Sequence, residues 1–327
     1  MLPFPIVYSD DYELELGAHV FPAAKYRLIH ERLLAEGHAA ATDFLRPPEA
    51  SDEDVLLVHT RDWVTKLRTG TVTYADILRM EIPYSPELVK AFWLSAGGSI
   101  LASRKALEGG AGFNLCGGFH HAFPGHGEGF CMIHDVAIAI RRLQEDGAIR
   151  RALIVDLDVH QGNGTAAIFS GDGSGDAAGG RAVFTFSMHQ ENNYPHPKPP
   201  STLDINLPDG IGDDEYHALL AEGLERAFAS FQPDLVWYLA GADPYREDQL
   251  GGLGLTIRGL RRRDDLVLRA ARQRGIPAAV TLAGGYARRL EDTVTIHTNT
   301  VLALRDTMEE GARSKGARSL EKKAQGE

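Results

Sequence analysis

The sequence predicts an α/β protein built on a single open, mostly parallel sheet with helices on both faces. Short runs rich in β-branched and aromatic residues recur along the chain, and amphipathic stretches with a helical period lie between them. This alternation is typical of parallel sheets, in which a helix connects one strand to the next. Unusual polar residues also follow several of the runs, and parallel α/β proteins bind their ligands at the carboxyl ends of their strands.

Eight runs are predicted strands, and five stretches between them are predicted helices. The strand runs, in chain order, are PIVYS, DVLLVH, GFNLC, ALIVDLD, AVFTFS, LDINL, DLVWYLAG and AAVTLAGG. The helical stretches cover residues 26–34, 87–107, 134–143, 214–231 and 256–274. No linker divides the chain, so residues 1–309 are predicted to form one domain, with a surface loop at 170–181 and a flexible tail at 310–327.

The composition is that of an ordinary soluble globular protein, with 327 residues, 43% hydrophobic and 24% charged. A formal net charge of −11 argues against nucleic-acid binding and fits a cationic or neutral substrate better. We find neither a long apolar run nor the layout of a secretory signal, so we expect no membrane span and a cytoplasmic location. Cys116 and Cys131 are too few for a disulfide framework and are expected to be reduced thiols.

Three ionisable residues end one apolar run, in the stretch ALIVDLDVHQGNGT at residues 152–165. Burying charges is costly unless they are paired or bind a cation. Asp158 and His160 alternate along the strand and therefore share a face, and Asp243 follows a second strand. Singly, these residues are explained by a helix cap, a core histidine and a turn. Together they predict an open site with two carboxylates and one imidazole, suited to Zn²⁺ or Fe²⁺.

Two further strand ends carry candidate catalytic groups. His120 and His121 follow a Gly-Gly turn and can divide the work of general acid and base for a metal-assisted hydrolysis. Asp156 and the Asn163 amide are candidates to orient these two imidazoles. Tyr286, after a second Gly-Gly pair, can donate a hydrogen bond to a developing oxyanion. Each of these features alone is more often structural, and only their convergence favours catalysis.

With these residues in place, the chain resembles the zinc-dependent histone deacetylase family of the arginase/deacetylase superfamily, and most closely its class IV branch. The resemblance rests on several motifs in the family's order, namely HVFPAAKY, GGFHHAFPGHGEGFC, IVDLDVHQGNGT, YLAGADPYREDQLGGL and AGGY. It implies the arginase/deacetylase fold and hydrolysis of N6-acyl-lysine. It also implies one Zn²⁺ on Asp158, His160 and Asp243. His120 and His121 would be the acid/base pair, and Tyr286 would polarise the acyl carbonyl.

The resemblance implies two further sites. A structural K⁺ would bind the backbone carbonyls of Asp156, Asp158, His160 and Met188 and the Ser187 hydroxyl. A narrow acyl-lysine channel would be lined by Gly129, Phe130, Tyr194 and Leu250, and the class IV branch implies a preference for long fatty acyl groups. The sequence departs from the more familiar members at Asn163, where they have an acidic residue. It also departs at His134, because they have Asn-Asp where His134 and Asp135 stand.

Other functions fit parts of the same pattern. A deacylase of acetylpolyamines or other small acyl-amines would share the metal chemistry, and the acidic balance suits a polycation. An arginase-type ureohydrolase needs a binuclear manganese site with a D-x-D pair, whereas GADPY offers one aspartate. An inactive acyl-lysine-binding protein is an alternative outside the enzymes, although every expected catalytic group is present.

Overall fold

The structure, a computed structural model, describes residues 1–13, 16–172 and 182–324, with side chains to residue 311. Its strands form one eight-stranded sheet in the order β2-β1-β3-β8-β7-β4-β5-β6, and every neighbouring pair is parallel. The strands are β1 Ile6–Val7, β2 Phe44–Leu45, β3 Ala111–Asn114, β4 Arg151–Asp156, β5 Ala182–Gln190, β6 Leu203–Leu207, β7 Leu235–Leu239 and β8 Ala278–Thr281. The predicted parallel α/β sheet is confirmed.

Ten α-helices connect or flank these strands in the described residues. They are α1 Lys25–Ala35, α2 Asp52–Val55, α3 Arg61–Thr69, α4 Tyr74–Met80, α5 Pro86–Gly109, α6 Asp135–Glu145, α7 Asn163–Ile168, α8 Asp213–Ser230, α9 Ile257–Gln273 and α10 Leu290–Ala324. The five predicted helices correspond to α1, α5, α6, α8 and α9, each with bounds within two residues of the prediction at either end. Short 3₁₀ helices also occur at Asp10–Tyr12 and Ala41–Asp43.

One predicted strand is wrong. The run DVLLVH begins inside α2 and continues into turns, because Ser51 and Asp54 form a reciprocal capping box at the start of that helix. Its first turn is also acidic, which stabilises the positive end of the helix dipole. The apolar residues of this run pack on the core from a helix and its turns. The short strand β2, at Phe44–Leu45, takes the edge position instead and was not predicted.

Helices cover both faces of the sheet. Strands β4, β5, β7 and β8 are buried at nearly every residue, which an open sheet achieves only when both faces are covered. Helix α5 packs on α6 and on β3, while α1, α10, α9 and α8 pack against one another in series. Within the described residues, no helix combines the length and apolar character needed to cross a bilayer.

Two predicted segments need separate statements. The predicted loop at 170–181 lies mostly outside the described residues, which resume at residue 182. The predicted tail begins inside α10, which continues as a helix to Ala324 without a break at residue 310. The boundary between domain and tail, and the flexibility of that tail, stay predictions.

The topology brings distant parts of the chain to one edge of the sheet. β3, β8, β7, β4 and β5 are consecutive neighbours, and all of them end at the same edge because they are parallel. β8, the last strand in the chain, lies between β3 and β7. It therefore joins two parts of the sheet, one formed by strands β1 to β3 and the other by strands β4 to β7. The polar residues singled out in the sequence lie near the carboxyl ends of these five strands or in the loops that follow them.

Candidate metal centre and active site

Three buried side chains meet beyond the ends of β4 and β7. Asp158 and His160 follow β4, and Asp243 follows the neighbouring β7. Their candidate ligand atoms all lie within 4.8 Å of one another. None of the three residues is more than 8% exposed. The triad predicted from the sequence is therefore brought together in the structure.

The surroundings of this triad fit a metal ion. Among the described residues, Asp243 Oδ2 is buried without a hydrogen-bond partner, whereas Asp243 Oδ1 accepts from the Val159 N–H at 2.9 Å. Asp158 Oδ2 accepts from the Gly284 N–H at 2.8 Å. A Cβ added to Gly284 would lie 2.2 Å from Asp243 Oδ2, so this glycine leaves the space beside the carboxylates open. Two carboxylates and one imidazole around such a space suit a mononuclear Zn²⁺ site.

The ionisable groups of this cluster shift one another's pKa values. Burial, followed by the repulsion of Asp158, raises the pKa of Asp243 to about 7. Burial lowers the pKa of His160, but the nearby carboxylates of Asp158 and Asp243 outweigh burial and raise the pKa to about 10. Two buried carboxylates that repel each other are stabilised by a cation between them. The electrostatics therefore agree with the metal-binding interpretation.

The tandem histidines lie in the loop after β3, beside the triad. His120 Nδ1 donates to Asp156 Oδ2 at 2.7 Å, and His121 Nδ1 lies 2.7 Å from Asn163 Oδ1, so both predicted orienting contacts are present. Burial lowers the pKa of His120, but the Asp156 carboxylate outweighs it and raises the pKa to about 9. Burial and the charge of His120 hold the pKa of His121 well below its usual value. At neutral pH the pair therefore combines one charged and one neutral imidazole.

The His134–Asp135 pair, which departs from the family's Asn-Asp, holds this loop in place. Asp135 accepts from the backbone N–H groups of Gly118 and Phe119 at 3.0 and 2.9 Å and from the Ser99 hydroxyl at 2.5 Å. His134 caps α6, since its Nδ1 accepts from a backbone N–H in the first turn at 3.2 Å. Its Nε2 therefore carries the proton and donates to a threonine hydroxyl at 2.8 Å. Histidine thus performs the capping work of an asparagine.

A cavity of about 210 Å³ lies beside these groups. His121, His160 and Tyr286 line it together with all four predicted channel residues, which are Gly129, Phe130, Tyr194 and Leu250. Burial raises the pKa of Tyr286 well above its usual value, so its hydroxyl keeps its proton as a donor. A second, smaller cavity of about 20 Å³ shares His121, Gly129, Phe130 and Tyr286 with the first. Every residue predicted for catalysis or substrate binding lies around these two spaces or touches a residue that does.

The proposed potassium ligands also lie together. Asp156 at the end of β4 is the register partner of Ser187 on β5, and Met188 follows directly. The Ser187 hydroxyl lies 2.9 Å from His189 Nδ1. These contacts place the residues in one neighbourhood, and the binding of K⁺ stays a prediction.

Sequence reasoning missed several residues at the site. Asp248 Oδ2 accepts from the Tyr286 N–H at 2.7 Å, and its Oδ1 accepts from Leu250 N–H at 2.8 Å, so one carboxylate ties the channel rim to the tyrosine loop. Its position two residues before a Leu-Gly-Gly turn is a recognisable signal for such an Asx turn. Glu128 was also missed, although it contacts Asn163 and Tyr194, both at 2.6 Å. A lone glutamate in a Gly-rich loop carries no comparable signal.

Comparisons with known proteins agree with this geometry. The model of the histone deacetylase domain matches residues 19–301. An uncharacterised protein of Picosynechococcus sp. is 43% identical over 93% of this chain and 99% of its own length. Histone deacetylase 2 of Arabidopsis thaliana is 32% identical over 88% of this chain and 77% of its own. The crystal structure of a histone deacetylase homologue from Aquifex aeolicus shares the fold, with a TM-score of 0.78 at 24% identity over 95% of this chain and 88% of that one.

The matched segment contains the metal triad, both histidines and Tyr286, and it spans seven of the eight strands of the sheet. Sequence, fold and site geometry therefore agree, and the chain belongs to the histone deacetylase family of hydrolases.

Proposed function

We propose that the protein is a zinc-dependent hydrolase that removes short acyl groups from the ε-amine of lysine. The observation that carries this proposal is the 210 Å³ cavity, whose wall residues Phe130, Tyr194 and Leu250 are followed inward by His121, His160 and Tyr286. An extended, uncharged acyl-lysine chain matches such an apolar slot. Its amide would be delivered to the buried polar groups at the inner end.

The metal in this proposal is Zn²⁺ held by Asp158, His160 and Asp243. A bound Zn²⁺ would polarise the acyl carbonyl as a Lewis acid and lower the pKa of the attacking water. The orphaned Asp243 Oδ2 and the three-ligand donor set support this choice of metal and leave room for substrate. The structural K⁺ near Asp156 and Ser187 belongs to the same proposal.

The residues of this chain have separable tasks in the hydrolysis. His121 is neutral and takes a proton from the water whose oxygen attacks the acyl carbon. The carbonyl oxygen gains negative charge as the new C–O bond forms, and the Tyr286 hydroxyl donates a hydrogen bond to it. The C–N bond then breaks, and the departing amine takes up the proton. The second proton of the water passes from the new carboxylic acid to the amine, so the products are a carboxylate and a lysine ε-ammonium. Charged His120 stabilises the negative charge that develops beside it.

The acyl group must fit beyond the metal ligands. The space there is the cavity of about 20 Å³ lined by residues such as Gly118, Cys131 and Ala283, which holds about one water-sized group. This volume favours acetyl over octanoyl or myristoyl. The long-acyl preference implied by the class IV resemblance, and the class IV assignment itself, stay predictions.

A single purified sample tests the proposal. We expect about one Zn²⁺ per chain, inhibition by a hydroxamate, and hydrolysis of acetyl-lysine peptide with kcat/KM falling from acetyl to butyryl, octanoyl and myristoyl. A zinc-loaded protein that binds acyl-lysine peptide without hydrolysing it would support the acyl-lysine-binding alternative. A kcat/KM for acetylputrescine above that for the peptide would favour the small acyl-amine substrate instead. A rise with acyl length would restore the long-chain prediction.

A further inference from the structure

A chain of hydrogen bonds leads from His121 to Glu128, away from the metal triad. His121 Nδ1 lies 2.7 Å from Asn163 Oδ1, and Asn163 Nδ2 donates to Glu128 Oε1 at 2.6 Å. Tyr194 donates its hydroxyl proton to the same Glu128 oxygen at 2.6 Å. The Glu128 carboxylate thus contacts both Asn163, which supports His121, and Tyr194, which lines the substrate cavity.

The direction of these bonds follows from the chemistry of their ends. An ionised carboxylate only accepts hydrogen bonds, so the Asn163 edge that faces Glu128 must be its NH₂ group. The Asn163 carbonyl oxygen then faces His121, and it also accepts from the Gly164 N–H at 3.1 Å. An amide oxygen cannot donate, so the proton on His121 must be on Nδ1. Nε2 is left as the free base that faces the cavity.

The backbone holds Glu128 in this position. Glu128 and Cys131 exchange two backbone hydrogen bonds of 2.9 Å, which close a tight turn. Within the turn, Gly129 has a φ of 50° and Phe130 a φ of 65°. A Cβ on Gly129 would lie 2.8 Å from His121 Cδ2, so the turn also packs directly on the imidazole. His126 Nε2, at 3.4 Å from Glu128 Oε2, contacts the other carboxylate oxygen.

We propose that Glu128 is a positioning residue that fixes the tautomer of His121 through the Asn163 amide. In family members with an acidic residue at position 163, a carboxylate would contact the histidine directly. In this chain the neutral amide has two possible orientations, and the carboxylate of Glu128 selects one of them. The inference rests on the proposed function, because it assigns His121 as the base.

The first test compares Glu128→Gln with wild type. Glutamine keeps the shape but can present either an oxygen or an NH₂ group, so only the Gly164 N–H still favours the Asn163 orientation. We expect kcat on an acetyl-lysine peptide to fall about 10-fold, as for other residues that orient groups around a metal site, with KM and zinc content near wild type. Glu31→Gln, an exposed glutamate paired with Arg27, is the matched control for loss of one negative charge.

The second test is a rescue. A carboxylate at position 163 only accepts hydrogen bonds, so Asn163→Asp in the Glu128→Gln background restores the selected tautomer, and we expect kcat to recover to within about threefold of wild type. Asn163→Asp alone would oppose two carboxylates at the present 2.6 Å contact and should be less active than the double variant. This order of activities is not expected from a purely structural role of Glu128.

Each outcome decides one claim. A wild type that hydrolyses none of the substrates refutes the proposed function. With an active wild type, the Glu128 inference fails if Glu128→Gln matches Glu31→Gln, or if the double variant is no better than Glu128→Gln.

Discussion

Replacing Gly284 with alanine should abolish metal binding without unfolding the protein. The added Cβ would lie 2.2 Å from Asp243 Oδ2 and 2.6 Å from Asp158 Oδ2. To reach the 3.0 Å below which real Cβ contacts essentially do not occur, the Asp243 oxygen must retreat by about 0.8 Å. Metal–ligand distances tolerate deviations of only about 0.2 Å. Two of the three ligands are therefore displaced beyond bonding range.

We expect Gly284→Ala to retain less than about a tenth of the wild-type zinc, because supporting contacts alone change metal affinity about 10- to 100-fold. Zinc per chain is measured by mass spectrometry after gel filtration, and folding by circular dichroism and thermal melting. Gly125→Ala is the matched control, since no described atom lies within 4 Å of its added Cβ. Asp243→Ala removes a ligand outright and defines the zinc content of a destroyed site. A Gly284→Ala protein that holds one tight zinc per chain would refute the reasoning.

Three further predictions concern chemistry and stability. Tyr286→Phe should lower kcat on the order of 100-fold at unchanged zinc content, because the hydrogen-bond donor to the oxyanion is lost. A loss of less than about threefold in steady-state assays would show that Tyr286 does not act on the reacting atoms. Removing the metal with a chelator should lower the calorimetric melting temperature by roughly 5 °C or more, because zinc binds only the folded triad. Adding Zn²⁺ back should restore the melting temperature. An unchanged melting temperature would contradict a tight site. Gly97→Ala should destabilise the protein by about 2 kcal/mol or more in urea, since its Cβ would lie 1.9 Å from a backbone carbonyl. Gly109→Ala, in the same helix α5, is the control: its added Cβ meets no described atom within 4 Å, so the substitution should be neutral or stabilising. Equal stability of the two variants would rule out the packing argument.

The fold was predictable where local pattern and tertiary packing agree. Helix α9, for example, has a clear apolar stripe and a Thr256 N-cap, and its bounds match the prediction within one residue. The run DVLLVH is not a strand because a capping box between Ser51 and Asp54, its first residue, starts a helix there. β2 is only two residues long, and its pairing with β1 depends on a chain segment far away. No local pattern specifies such a strand.

The site residues that come directly after a predicted strand could be predicted from the sequence. Asp158, His160 and Asp243 were found because a charge at the end of a buried strand needs an explanation. Glu128 could not be found in this way, because its role comes from contacts with Asn163 and Tyr194, which are 35 and 66 residues away. The capping role of His134 was likewise invisible, since a histidine is rarely expected at a helix N-terminus.

The central position of β8 has a consequence for biosynthesis. The proposed metal ligands follow β4 and β7, which are direct neighbours, whereas the tandem histidines follow β3 on the far side of β8. A nascent chain that has not yet released β8 from the ribosome contains Asp158, His160 and Asp243 but lacks the strand that joins them to the tandem histidines. Until β8 is inserted, β3 and β7 are open edges, which are the surfaces that chaperones protect and that aggregation exploits. Under the proposed function, a chain that ends before β8 would carry the three proposed zinc ligands and still be unable to hydrolyse substrate.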